Sequence, residues 1–138
     1  MSSETNLEQS YLALIKFLML SKRQVIEIGS DYDLTSMQAM TLFLLNQSHP
    51  MSLFKHVFSC DASNVTGLVD GLEQKSLACR AEDPKDRRIK MVQLQPQGAK
   101  IRREMLSRLT GPNSYILNKL SPSEVTTFIA LVQKITAE

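Results

Sequence analysis

Cysteine is scarce in this chain of 138 residues, which has only Cys60 and Cys79. Two thiols are too few for a disulfide framework or a four-ligand zinc site. A cytoplasmic setting with reduced thiols is the expectation. Long apolar runs are missing as well. None exceeds five residues, the length of Tyr11–Ile15, whereas a membrane-spanning helix needs about 20. No membrane partner is expected. The start, Met1 to Asn6, is polar and acidic, without the basic residues and apolar stretch of a secretory signal. No nucleophile elbow, phosphate loop or zinc-protease signature occurs, so nothing points to catalysis. His49 and His56 are separated by a proline-containing break and have no Cys or close second His at ligand spacing. Neither a metal nor a cofactor is expected. Internal repeats and low-complexity segments are absent too.

What is present is an ordinary globular composition, 43% hydrophobic, which argues against a disordered chain. The length suits one compact domain, with or without a helical extension. The formal charge is only +2, but its distribution is uneven. Residues 1–51 carry three basic and five acidic side chains, and residues 52–108 carry eleven and seven. Between 85 and 108 alone, eight basic residues face two acidic ones. Such a local excess suits a polyanionic partner. A solvated face of ordinary charged residues is the plainer alternative.

Periodicity predicts a long first helix over 4–28, with Leu7, Tyr11, Leu14, Leu18 and Val25 on one face. Gly29 is expected to end it. A stripe this broad calls for a partner, either the rest of the domain or a second subunit. Thr35-Ser36-Met37-Gln38 reads as a capping box opening a central, buried second helix. A short third helix is predicted over about 53–58, capped by Ser52, with Leu53, Phe54, Val57 and Phe58 buried. Ser59-Cys60-Asp61 is a tight turn, and Asp61 is the expected N-cap of a fourth helix reaching about Lys75. Val65, Leu68, Val69 and Leu72 form its apolar face. Segments 77–82 and 89–94 alternate as strands around the turn Asp83-Pro84-Lys85-Asp86. Pro96 suits the first turn of a fifth helix. Ser121-Pro122-Ser123-Glu124 is a second capping box, opening a last helix over about 122–136.

A short helix, a tight turn and a second helix make a helix-turn-helix. With a basic-tipped hairpin behind them they make a winged helix. A helix with its side chains is about 10–12 Å across, which matches a DNA major groove about 12 Å wide. The fold class expected is therefore mainly α with a small β-hairpin wing.

The segment Asp61 to Gly98 carries a resemblance. Asp61 to Glu73 resembles the recognition helix of the multiple-antibiotic-resistance regulator (MarR) family of bacterial transcription factors. Asp83 to Leu94 resembles its wing, and Asp86, Arg88, Val92, Leu94 and Gly98 match the wing pattern position by position. Gln95 stands where the family has Thr, a change expected to alter only the cap of the fifth helix, and Ser76 stands where it usually has Gly, so a different end to the fourth helix is expected. Gly67 and Gly71 replace larger, often basic, side chains. Residues 61–75 hold three acidic residues against Lys75 alone.

The resemblance implies a homodimeric transcriptional regulator, expected to be a repressor, on a pseudo-palindromic double-stranded DNA site. It implies N- and C-terminal dimerisation regions over 1–30 and 101–138 around a DNA-binding lobe over 31–100. Within helix 61–75, Ser63, Asn64 and Thr66 would read base edges. Lys85 and Arg87 would contact phosphates. Arg88 would enter the minor groove, its direction fixed by a bidentate bond from Asp86. It also implies a small aromatic or phenolic effector, with Tyr11, Phe17, Met40 and Phe54 as candidate cleft residues. Cys60, just before a helix N-terminus, is a candidate redox thiol, and a packed, inert thiol is the alternative. Two further readings stay open. One is a winged-helix protein-interaction module without sequence-specific DNA binding, suggested by the acidic, glycine-containing helix. The other is a thiol-based redox-sensing regulator.

Overall fold

A computed structural model describes residues 3–112 and 114–137. The elements are α1 (Ser3–Ser30), α2 (Ser36–Leu44), β1 (His49–Pro50), α3 (Met51–Val57), α4 (Ala62–Gln74), β2 (Ala78–Glu82), β3 (Lys90–Leu94), α5 (Pro96–Thr110) and α6 (Pro122–Thr136). One 3-10 turn, Leu117–Lys119, precedes α6. The chain divides into two compact units, one up to Leu106 and one from Ser107. Among the described residues no helix is long and apolar enough to cross a membrane.

In the first unit, the stripe predicted on α1 is largely uncovered. Leu7, Tyr11, Leu14 and Leu18 are exposed, and burial on this helix is confined to Gln24, Ile28 and Gly29. The helix does not stop at Gly29 but continues through Ser30, and the left-handed residue is Asp33, at φ 56°. Gly29 serves packing instead. A Cβ there would stand 3.0 Å from that of Ala39, so its absence lets α1 and α2 approach closely.

Both bonds of the predicted α2 capping box are present. The Thr35 hydroxyl accepts from the Gln38 N–H at 3.2 Å, and Gln38 Oε1 accepts from the Thr35 N–H at 3.1 Å. Ala39, Thr41, Leu42 and Leu45 are buried, which makes α2 the centre of the core.

The third helix differs from expectation. It starts at Met51, and its cap position is Pro50, which makes no side-chain cap bond. The cause lies just upstream. His49 and Pro50 form a two-residue edge strand paired to Val92 and Met91 of β3, and the chain passes from it straight into α3. An edge tolerates proline because no ladder bond needs its missing N–H. The expected hairpin is thus a three-stranded antiparallel sheet in the order β1-β3-β2. On α3, Phe54 is fully buried, while Val57 is exposed rather than part of the buried side.

The helix α4 packs through Val65, Val69 and Leu72. It ends in a Schellman motif: the Ser76 N–H reaches the Glu73 carbonyl at 2.9 Å, and the Leu77 N–H reaches that of Leu72 at 3.0 Å. Ser76 itself takes φ 59°. The helix therefore ends as a glycine would end it, not differently, with serine accepting the left-handed conformation. The register of β2 on β3 runs from Ala78↔Leu94 to Glu82↔Lys90 and sets the wing loop over 83–89. Gly98 fixes the start of α5 against the strand, because a Cβ there would lie 1.9 Å from the Leu77 carbonyl oxygen.

The second unit holds α6, opened by its predicted capping box. Ser121 Oγ accepts from the Glu124 N–H at 3.3 Å, and Glu124 Oε2 accepts from the Ser121 N–H at 2.7 Å. Ile129, Val132 and Ile135, on its predicted stripe, are exposed.

Candidate nucleic-acid interface

The reading end of α4 is built by its cap. Asp61 Oδ1 accepts from the Asn64 N–H at 2.9 Å and from Ser63 Oγ at 2.7 Å. The Asn64 amide, followed by the Ser63 hydroxyl, holds the Asp61 carboxyl below its ordinary pKa. Upstream, Ser59 at φ 49° turns the chain, and the Cys60 N–H bonds back to the Lys55 carbonyl at 3.2 Å. Cys60 is half-buried in that turn.

The three predicted base readers all lie on the exposed side of α4, but they are not equally available. The Ser63 hydroxyl is committed to the cap, and the Thr66 hydroxyl donates to the Ala62 carbonyl at 3.0 Å. The Asn64 carboxamide has no hydrogen-bond partner among the described residues. Beside them Gly67 opens onto empty space, with nothing within 4 Å of where a Cβ would stand.

The wing is folded by its own carboxylates. Asp83 Oδ1 accepts from the Lys85 N–H at 2.7 Å, and the Ile89 N–H closes onto the Asp86 carbonyl at 3.0 Å. Asp86 then grips Arg88 twice: Nε reaches Oδ1 and Nη2 reaches Oδ2, each at 3.0 Å. The Arg88 N–H also donates to Oδ1, at 3.0 Å. The Arg88 guanidinium, followed by that N–H, lowers the Asp86 pKa, and Asp86 raises that of Arg88. The Arg88 side chain is 90% exposed, so it projects from the wing while its direction is held. Lys85 and Arg87 are exposed beside it.

These parts meet at one hollow of about 460 Å³ between α3, the first half of α4 and the wing. Ala62, Val65 and Thr66 form one wall, Arg88, Ile89 and Lys90 another, and Ser52 and Lys55 lie on the α3 side. Pro50 and Met51 complete the lining, which is mostly apolar, and Lys55, Arg88 and Lys90 add three cations suited to a polyanion at its border.

One residue of the site was not anticipated from sequence. Arg80, on β2, donates from Nη1 to Glu73 Oε2 at 2.6 Å, from Nη2 to Asp70 Oδ1 at 2.5 Å, and from Nη2 to the Thr66 carbonyl at 3.3 Å. Its backbone N–H reaches Glu73 Oε1 at 2.9 Å. Two of the three acids in 61–75 are therefore paired by a cation from outside that stretch, and the third, Asp61, is the cap.

The four candidate cleft residues do not form one surface. Tyr11 and Phe17 border a shallow apolar groove on α1 with Leu14, Ile15, Leu18 and Ser21. Met40 is half-buried on α2. Phe54 is a correction: it is completely enclosed, its ring 6.2 Å from that of Phe58, and it serves the core rather than a cleft wall.

The MarR family model matches residues 34–90, the stretch that runs from the start of α2 through the wing. Over that stretch, 57 of the 138 residues, the chain is similar to the MarR family. The uncharacterised HTH-type transcriptional regulator YhbI of Bacillus subtilis is 28% identical over 107 residues, which cover 75% of this chain and 70% of that one. The MarR fold extends over almost the whole chain. The transcriptional regulator BldR from Sulfolobus solfataricus superposes with a TM-score of 0.79 at 23% identity, covering 98% of this chain and 97% of that one. A single-residue mutant of MarR from E. coli, complexed with operator DNA, superposes with a TM-score of 0.69 at 23% identity and 99% coverage of both chains.

Proposed function

We propose that this MarR-fold protein is a DNA-binding transcriptional regulator that works as a homodimer, most simply as a repressor. The observation that carries the reading is the shared hollow: the N-terminal half of α4 and the wing's Arg88 border one concave surface, mostly apolar in lining, to which Lys55, Arg88 and Lys90 contribute positive charge. In the proposed complex α4 enters the major groove, where Ser63, Asn64 and Thr66 face base edges. Asn64 contributes most to reading because its carboxamide is uncommitted and can bond an adenine in bidentate fashion. Lys85 and Arg87 hold phosphates, and Arg88, aimed by Asp86, enters the adjoining minor groove.

Residues 1–30 and 101–138 are proposed as the dimerisation regions, since both α1 and α6 expose broad apolar faces in the single chain. Two-fold symmetry then implies a pseudo-palindromic site. A small aromatic or phenolic effector is proposed to act beside α1, where Tyr11 and Phe17 border an apolar groove, with Met40 as a further contact.

The test is titration of the purified chain with duplex DNA from its own promoter region over a series of salt concentrations. Affinity is expected to fall steeply as salt rises, because phosphate contacts release counterions. Absent or salt-independent binding ends the regulator reading.

A further inference from the structure

We propose that Arg80 is a positioning residue for DNA binding, holding and neutralising the carboxylates of Asp70 and Glu73 so that α4 can approach a polyanion. The proposal rests on the DNA-binding reading above and deepens it. Asp70 lies one turn beyond Thr66, on the side of α4 that carries the candidate base readers, and its side chain is 51% exposed. Left unpaired, it would face the phosphates and acceptor-rich base edges of a bound duplex, and like charges brought together across an interface are costly. Glu73 follows on the next residue triplet, 35% exposed.

Arg80 answers both carboxylates with one planar fork, a geometry that the point charge of lysine does not supply. Nη1 takes Glu73 and Nη2 takes Asp70, at 2.6 and 2.5 Å. The same Nη2 reaches the Thr66 carbonyl at 3.3 Å, which ties the fork to the turn carrying a candidate base reader. The Glu73 carboxylate also accepts the Arg80 backbone N–H, so the strand and the helix are locked at that point. The arginine thus does two things for α4. It cancels negative charge on the groove-facing side, and it fixes the helix on the sheet that carries the wing.

A salt series of DNA-binding curves by fluorescence anisotropy, on the full chain and its variants, tests this. Arg80→Ala is expected to bind duplex DNA about tenfold more weakly at low salt, from the repulsion of two freed carboxylates. The gap from wild type is expected to narrow as salt screens that repulsion. Adding Asp70→Asn and Glu73→Gln to Arg80→Ala is expected to recover most of the loss. A gap that ignores salt and is not recovered by the triple variant overturns the proposal, because Arg80 then serves the fold alone. Should Arg80→Ala fail to fold, Arg80→Gln, which keeps a polar side chain but not the charge, decides instead. A salt-sensitive loss of DNA affinity that Asp70→Asn and Glu73→Gln recover supports the proposal, and wild-type affinity, or a loss that neither salt nor those changes reduce, overturns it. If wild type itself binds no duplex at low salt, the regulator reading falls first and the role of Arg80 falls with it.

Discussion

Replacing Arg88 with alanine separates recognition from folding more cleanly than any other change at this surface. The Arg88 side chain is 90% exposed, and its ionic partner, Asp86, stands two residues away on the same turn. No core contact is lost, and an exposed ion pair contributes little to stability. The thermal midpoint should therefore stay within about 2 °C of wild type. DNA binding should respond very differently. Removing one held guanidinium from a minor groove is expected to weaken affinity about ten- to a hundredfold and to lower the salt slope by about one. The freed Asp86 carboxylate adds to the loss, since it would then meet phosphate without its cation. Asp86→Asn isolates the other half of the argument. It keeps the cation and loses the charged grip, so affinity should fall less, with the salt slope nearly kept. Anisotropy titrations across salt, paired with thermal melts, measure both quantities on the same samples. Unchanged affinity in Arg88→Ala would refute the reasoning and leave the Asp86–Arg88 pair as a local brace of the wing. A fall in affinity matched by a fall in thermal midpoint would refute it as well, because the residue would then be structural.

Other outcomes follow from the same structure. Ser76→Gly should stabilise the protein by about 1 kcal/mol, because serine now holds the left-handed position that ends α4; an unchanged urea midpoint would contradict this. Gly98→Ala should destabilise by at least about 3 kcal/mol, since its Cβ would fall 1.9 Å from a backbone oxygen that can move only with its strand; near-wild-type chemical unfolding would show the contact to be loose. Carboxyl NMR should find Asp86 titrating below the ordinary aspartate range, and Arg88→Gln should return it upward. The sign follows from the lowered pKa: the grip is in place above the ordinary aspartate value and is lost as pH falls through the lowered one. An ordinary midpoint in wild type would mean that the pair does not persist in solution.

Much of the fold was legible because capping and periodicity are local. Thr35 with Gln38, Asp61 with Asn64, and Ser121 with Glu124 each settle a helix start within four residues of chain, and all three are formed. What escaped depends on distant partners. Nothing in His49-Pro50 marks a strand, because two residues have no period; they become one only when β3 is alongside. The stop expected at Gly29 failed for the same reason. A glycine near a helix end fits a left-handed cap and a close helix contact equally well, and Ala39 decides between them. Ser76 is the converse case, where the backbone kept the glycine conformation although the side chain had changed. Of the site, the wing pair was legible from a spacing of two residues. The unequal availability of Ser63, Asn64 and Thr66 was not, because it depends on where each side chain bonds.

Charge shows most plainly why windows along a chain mislead. Counted by sequence, residues 61–75 look acidic and unfit for DNA. Counted in space, Arg80 covers Asp70 and Glu73, Asp61 is consumed as a cap, and Lys75 turns back to the Asp33 carbonyl. The basic run 85–108 changes in the opposite direction. Arg102 points inward and donates to the Phe43 carbonyl at the end of α2, at 3.1 and 3.3 Å, and Lys90 lies 3.6 Å from Glu82. Arg102 thus caps a helix, and Lys90 is partly spent on its own hairpin. The cations best placed for a polyanion are then Lys85, Arg87 and Arg88 on the wing, with Lys55 across the hollow. That set is smaller than the sequence count and far more local. A ligand senses the field of spatial neighbours within a Debye length, not of covalent ones. The acidic helix and the basic segment are therefore one surface, joined by an arginine that belongs to neither.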